Sequence, residues 1–274
     1  MIAEEKNKKP DYVSFSSIKD WKFCPNYYKI TRVQGISAGR DSIHTAFGKA
    51  LHSTCEKMFK QEKEGTFDYA ADFSSNFAKE MHSVPELKAE MASEVGAKVY
   101  KDFDAQGKEL AVLVLPAAQE YFGEFEFVSA EENIMEDIEE YKIDDFKFKG
   151  FIDLIIRTKK DNVYHIIDWK TCSWGWEPQR KADAMTTYQL TYYKYFYGKK
   201  QNIPADKIET HFGLLKRTAK KDRIEIFRVT SADKKTSNAL KLLQECVYNV
   251  DHERFIKNKT SCAKCAFHKT VHCP

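Results

Sequence analysis

The 274-residue chain has no apolar run long enough to span a membrane; its best candidate, Leu110 to Ala118, is far too short and contains Pro116. It opens with no basic stretch followed by an apolar one, so no export signal is expected and a cytoplasmic location follows. No Gly-x-x-x-x-Gly-Lys-Ser/Thr occurs, which excludes a recognisable nucleotide-driven motor. Internal repeats and low-complexity segments are also missing. Neither sign of charge dominates, with 44 Lys and Arg against 41 Asp and Glu. A net charge of +3 does not by itself imply a nucleic-acid partner. The one concentrated basic stretch, Lys216 to Arg223, reads equally as a nucleic-acid contact or as a solvated hairpin turn. Cysteines number seven, and an odd count without an export signal argues against a disulfide framework and for thiols that are free or metal-bound.

What is present is enough to bury a full core: 42% hydrophobic residues with 31% charged, in one domain with appendages. Residues 1–12 are polar and read as loose. Ser14 to Phe23 reads as a capped helix leading into Cys24-Pro25. From Ser42 to about Gln106 the pattern is helical, with Phe47, Leu51, Cys55, Met58 and Phe59 on one buried face. Alternation of period two then takes over at Phe125/Phe127, Ile134 to Ile143, Phe146 to Ile156 and Val163 to Trp169, a meander of three or four strands. Pro178 starts a helix carrying Tyr188, Gln189, Tyr192 and Tyr193, strands are expected at Ile208 to Lys216 and Arg223 to Val229, and Ser231 to Lys257 is a long amphipathic helix. The layout predicts a mixed α/β (α+β) domain over 1–274, one sheet flanked by helices. Residues 13–110 form a helical region, 120–230 the sheet core, and 231–274 a helix and cysteine-rich tail.

Two apolar strands each carry one carboxylate. Gly150-Phe-Ile-Asp153 lies in the first; Asp168-Trp169-Lys170 ends the second, after Val163 to Ile167. Side chains alternate along a strand, so Asp168 and Lys170 share a face, and a hairpin through Lys159 to Asn162 sets Asp153 beside them. The acid-any-Lys triplet recurs at Asp20, Glu86, Glu140, Asp145 and Asp233, all in polar stretches that read as solvated surface. Asp168 differs because it ends a run expected to be buried, where an unpaired carboxylate costs several kcal/mol without a metal or cation beside it. Two acids and a lysine suit metal-dependent phosphodiester cleavage, with a structural Asp168 to Lys170 ion pair as the plain alternative. Another motif closes the chain: Cys262-x-x-Cys265 and Cys273 in a Pro-terminated tail, a pattern with few uses besides metal ligation.

Taken together, these residues resemble the PD-(D/E)XK nuclease superfamily, and within it the RecB-like exonucleases that carry a four-cysteine iron-sulfur cluster, as in AddB-type domains and the nucleases of CRISPR adaptation. Phe47-Gly48-Lys-Ala-Leu-His52 resembles the family's Gly-x-x-x-His helix, Gly150 to Asp153 and Asp168-Trp-Lys170 its acidic strands, and Gln189-Leu-Thr-Tyr-Tyr193 its Gln-Leu-x-x-Tyr helix. The resemblance implies a restriction-endonuclease-like fold and a DNA exonuclease of recombination, repair or phage DNA processing, alone or with a helicase or recombination partner. It implies Mg²⁺ or Mn²⁺ held by His52, Asp153, Asp168 and the Trp169 carbonyl. Lys170 would orient or activate the attacking water, Gln189 and Tyr193 would orient Lys170 or hold a phosphate, and Glu124 or Glu126 would add an acid. Cys24, Cys262, Cys265 and Cys273 would hold a 4Fe-4S cluster. Seven residues separate the last two cysteines, more than the family usually has, and they include His268 and His272, so zinc remains the alternative. Two rival readings stand beside the enzyme: a catalytically silent DNA-binding module of the same fold, and a zinc-stabilised structural protein.

Overall fold

The computed structural model describes residues 11–39, 41–61, 67–138 and 146–274. The loose start expected at 1–12 falls largely on residues outside these, as does the stretch of strand expected up to Ile143. A short strand, β1 (Tyr12–Ser14), runs into helix α1 (Phe15–Phe23). Ser14 Oγ accepts the Ser17 N–H at 3.2 Å while Ser17 Oγ accepts the Ser14 N–H at 2.7 Å, a reciprocal cap that fixes the helix start. Pro25 ends α1 and opens α2 (Pro25–Tyr28). Its ring disfavours a helical residue before it, and Cys24 is accordingly extended, with φ −165° and ψ 119°.

Helices α3 (Ile43–Gln61), α4 (Tyr69–Ser83), α5 (Pro85–Met91) and α6 (Glu94–Phe122) follow. The sequence placed the end of the helical region near residue 110, short of Pro116. Instead α6 runs through Pro116 to Phe122. A proline inside a helix costs about 3 kcal/mol, and burial of Leu110, Ala111, Val114, Leu115 and Ala118 on both sides of it offsets that cost.

Strand β2 (Phe125–Asp137) unites two apolar runs of the sequence, with a register shift between Phe127 and Ser129. Strands β3 (Lys147–Thr158) and β4 (Tyr164–Cys172) complete the expected meander. Asp183 caps its own helix by accepting the Thr186 N–H at 2.7 Å, so the helix expected from Pro178 is two, α7 (Pro178–Ala182) and α8 (Ala184–Gln201). After β5 (Ile208–Lys216) and β6 (Ile224–Val229), α9 (Asp233–Asp251) ends short of the Lys257 expected, where Glu253 turns to φ 52°.

Among the described residues, one sheet of six strands has the order β1-β3-β4-β5-β6, with β2 on the other edge of β3. Pairings β1–β3 and β4–β5 are parallel and the rest antiparallel, so the sheet is mixed, as the sequence predicts. Helices α1, α8 and α9 cover one face and α3, α4 and α6 the other, each over its own apolar core. The basic stretch 216–223 is the β5–β6 hairpin docked against α6: Arg217 lies over Phe103 and reaches Gln106, and Arg223 pairs with Glu109. No helix among the described residues is long and apolar enough to cross a membrane.

Trp169 is buried on β4 and stacks on Phe59 of α3. It lies over Gly213 of the neighbouring strand, where a Cβ would stand 2.2 Å from the indole. Gly213→Ala therefore forces the indole to move and is expected to cost about 1–3 kcal/mol. In urea unfolding this is a lower midpoint at an unchanged slope.

Candidate active site

The site begins where β3 and β4 part. Their ladder runs from Arg157–Tyr164 to Leu154–Ile167 and stops. Continuing the register sets Asp153 opposite Asp168, the first positions beyond the last pair. Past the stop, the Trp169 N–H of β4 donates to Asp153 Oδ2 at 2.7 Å, so a side-chain carboxylate stands in the fork. Farther along the same edge of β3, β1 pairs with Lys147 to Lys149. Between these partners the Phe151 N–H is taken by the Tyr193 hydroxyl. Gly150 makes room for that ring, since a Cβ there would lie 2.7 Å from it.

Asp168 is 1% exposed. Its Oδ1 accepts the Gln189 Nε2 amide at 2.7 Å, and the same amide donates to Tyr193 Oη at 3.1 Å. Gln189 thus holds the carboxylate, where the sequence reading had it orient Lys170 or a phosphate. Asp168 Oδ2 lies 2.6 Å from Lys170 Nζ. That ion pair, at hydrogen-bond distance, is the contact that engages an otherwise unpartnered buried oxygen. His52 reaches the fork from α3, its Nδ1 3.4 Å from Asp153 Oδ2.

A third acid joins these. Glu131 of β2 lies opposite Asp153, between the pairs Ala130–Leu154 and Glu132–Ile152, and has φ 51°. Glu131, Asp153 and Asp168 therefore form a row across three adjacent strands. Glu124 and Glu126, the acids the sequence offered, lie at the far end of β2 paired with Lys159 and Arg157. Only a bulge and a left-handed residue bring Glu131 into line, and nothing local in Ala130-Glu131-Glu132 marks that.

Crowding of charge shows in the titration. Burial, then the Asp153 charge, pushes Asp168 up to about 6 against the pull of Lys170. Burial also works against ionising Asp153, but His52, Lys170 and the Trp169 N–H outweigh it and hold the carboxyl below its ordinary value. Burial disfavours charge on Lys170 and His52 as well; the carboxylates overcome it, and both are raised. Burial followed by the Asp153 charge raises Glu131. An excess of negative charge, with Glu131, Asp153 and Asp168 set against Lys170 and His52, suits a bound cation. Hard oxygen donors with one imidazole suit Mg²⁺ or Mn²⁺.

At the far end of the chain, Cys24, Cys262, Cys265 and Cys273 line one small cavity with Asn26, Tyr27 and His268. All seven cysteines are free. The Asn258 N–H donates to Cys24 Sγ at 3.2 Å and Asn26 Nδ2 to Cys273 Sγ at 3.4 Å. A short 3₁₀ helix (Lys259–Lys264) is tied to the end of α1, because Asn258 Nδ2 and Ser261 Oγ both donate to the Phe23 carbonyl. His272 instead packs its ring on Phe267. A soft-metal group fits this donor set.

A model of the PD-(D/E)XK nuclease superfamily matches residues 12–270. The crystal structure of a candidate exonuclease from Eubacterium rectale is similar over 98% of this chain and 91% of that one, at 14% identity and a TM-score of 0.56. Comparison with curated proteins finds no match.

Because the folded pKa of Asp168 lies above the ordinary carboxylate value of about 3.9, its charge destabilises the metal-free fold. That penalty is absent below about pH 4, grows as pH rises through about 6 and is complete above it. Asp168→Asn removes it and is expected to stabilise the chelator-treated protein by about 1–3 kcal/mol at pH 7.5 and by about half as much at pH 5. Urea midpoints at both pH values check this; a gap that does not widen with pH contradicts it.

Proposed function

The chain belongs to the PD-(D/E)XK nuclease superfamily, and from that premise we propose that it is a divalent-metal-dependent DNA exonuclease acting on single strands or duplex ends. The observation that carries the reading is the acidic row meeting His52 and Lys170 at the strand fork. Asp153, Asp168 and His52 are the residues that would hold Mg²⁺ or Mn²⁺, with Glu131 beside them and the Trp169 carbonyl as a further donor. Bound there, the ion supplies charge neutralisation and a more acidic water.

The chain's own residues do the rest. Lys170 presents a compact cation to the scissile phosphate and its attacking water, where negative charge develops. Gln189 fixes Asp168, and Tyr193 fixes Gln189 while closing the β3 edge. A cleft of about 310 Å³ leads from Gln189 and Tyr193 past Gly150 to Phe151, Tyr12, Lys149 and Arg32. Tyr12 and Phe151 are 36% and 45% exposed, and Lys149 Nζ lies over both rings. Exposed rings flanked by cations suit stacking of unpaired bases along a phosphate backbone, which favours a single-stranded end as substrate. Of the nearby tryptophans, Trp174 is exposed, while Trp169 and Trp176 are buried and pack the core.

We propose also that the four cysteines carry a 4Fe-4S cluster that clamps the tail to α1, with zinc through three of them and His268 as the alternative. Closing so long a loop stabilises the folded chain by restricting the unfolded one.

On end-labelled single-stranded DNA with Mg²⁺ or Mn²⁺, progressive shortening from an end is expected, abolished by chelator, with closed circles untouched. Lys170→Met and Asp153→Asn should each lower turnover by roughly 10²–10³-fold or more. Metal-independent degradation, or full activity in Lys170→Met, sinks the assignment.

Protein prepared without oxygen is expected to be brown and to hold iron and sulfide in equal amounts. Cys262→Ser should lose the colour and lower the melting temperature. A colourless protein with one zinc in the tail removes the cluster and leaves the nuclease reading standing.

A further inference from the structure

Away from the fork, the opposite ends of β4 and β5 carry His165, Glu209 and His211. Residues 165, 167 and 169 of β4 alternate onto the face covered by α6, as do 209, 211 and 213 of β5, and the parallel register sets His165 beside Glu209 and Ile167 beside His211. Ile167, Trp169 and Leu215 share that apolar face. His211 is 2% exposed and His165 is also buried. The rings of Tyr121 and Phe122, at the end of α6, stand edge-on to His211.

Three atoms converge there. His165 Nδ1 and His211 Nε2 are 3.0 Å apart, and each is 3.8 Å from Glu209 Oε2. A tetrahedral zinc with bonds of 2.0–2.1 Å separates its ligand atoms by about 3.4 Å. The observed triangle brackets that value on all three edges. This is the one group of three His, Cys, Asp or Glu ligand atoms within 4.8 Å of one another among the described residues.

The surroundings are those of a built site. Arg228 takes the other carboxylate oxygen of Glu209 at 2.9 Å, which leaves Oε2 turned to the rings. Behind His165, Nε2 lies 3.2 Å from Thr158 Oγ1, whose hydroxyl donates to Asp161 Oδ1 at 2.5 Å. A ligating histidine backed by a hydroxyl and a carboxylate is a common second layer around metals. His211 Nδ1 is buried without a partner, so the polar engagement of that ring is confined to Nε2. Burial, and for His211 also the neighbouring His165 and Arg228, holds both rings neutral at pH 7, the form that binds metal.

We propose that His165 Nδ1, His211 Nε2 and Glu209 Oε2 form a second metal site, for Zn²⁺ or a cation of that class, which clamps β4 to β5 independently of the acidic fork. Three protein ligands leave the fourth position to a water entering from the Glu209 side, the half-buried side of the cluster. The site is structural: it ties together the two central strands beneath α6, and a cation bound to the folded state alone stabilises it by mass action.

Metal content tests the idea. Chelator-stripped full-length protein is dialysed against micromolar Zn²⁺ and analysed, wild type beside His211→Gln and Glu209→Gln. The tail cysteines and the fork take up the same amount in every sample, so the wild type should hold one more zinc per chain than His211→Gln. Zn²⁺ should also raise the melting temperature of the wild type by roughly 5 °C more than that of His211→Gln. Glu209→Gln keeps both buried rings and guards against a variant that fails to fold; its affinity at this site should fall on the order of 10-fold or more. Equal zinc content and equal thermal response in all three overturn the proposal and leave a hydrogen-bonded imidazole pair.

Discussion

The rest of the site depends on one hydrogen bond, from the Trp169 N–H to Asp153 Oδ2. A backbone donor that would otherwise sit unpaired where β3 and β4 separate is satisfied by a side chain. The carboxylate holds the fork open and is itself held in place. Asp168 then faces it across the gap, and Lys170, two residues along β4, falls on the same side. Tyr193 fills the vacated edge of β3, which Gly150 alone permits, and the hydroxyl in turn positions Gln189 against Asp168. Binding geometry and backbone satisfaction are therefore the same set of bonds.

That arrangement is electrostatically tense without a cation. Lys170 and His52 are both raised, so each carboxylate has a positive neighbour, yet Asp168 still sits well above its ordinary value. Burial is the reason: the lysine's attraction falls short of the lost hydration. Folding thus leaves at the fork a buried negative charge whose cost a bound cation would relieve.

Much of this was legible in the sequence. Asp153, Asp168 and Lys170 stood out because apolar strands bracket them, Gln189 and Tyr193 only through their resemblance to the family's Gln-Leu-x-x-Tyr helix, and the tail cysteines because their spacing has few other uses. Glu131 was not legible, since a bulge and a left-handed residue decide where it points, and neither has a local signature. Nor was β1, three residues long, whose partner is an edge of β3 exposed only because β4 leaves it. The end of α6 was missed for the opposite reason: packing on both sides of Pro116 carries the helix to Phe122, past a local helix breaker.

Period, capping and apolar patterning by themselves determined most of the order of helices and strands, one sheet with helices on its faces, and which residue types carry the chemistry. These are properties of short stretches of chain, and short stretches can be read. Tertiary structure alone decided that Gln189 serves Asp168, that Glu131 completes the acidic row, that His268 lies beside the cysteines while His272 does not, and that His165, Glu209 and His211 meet. Each depends on register between distant strands or on a chain end folding back, which no local pattern encodes.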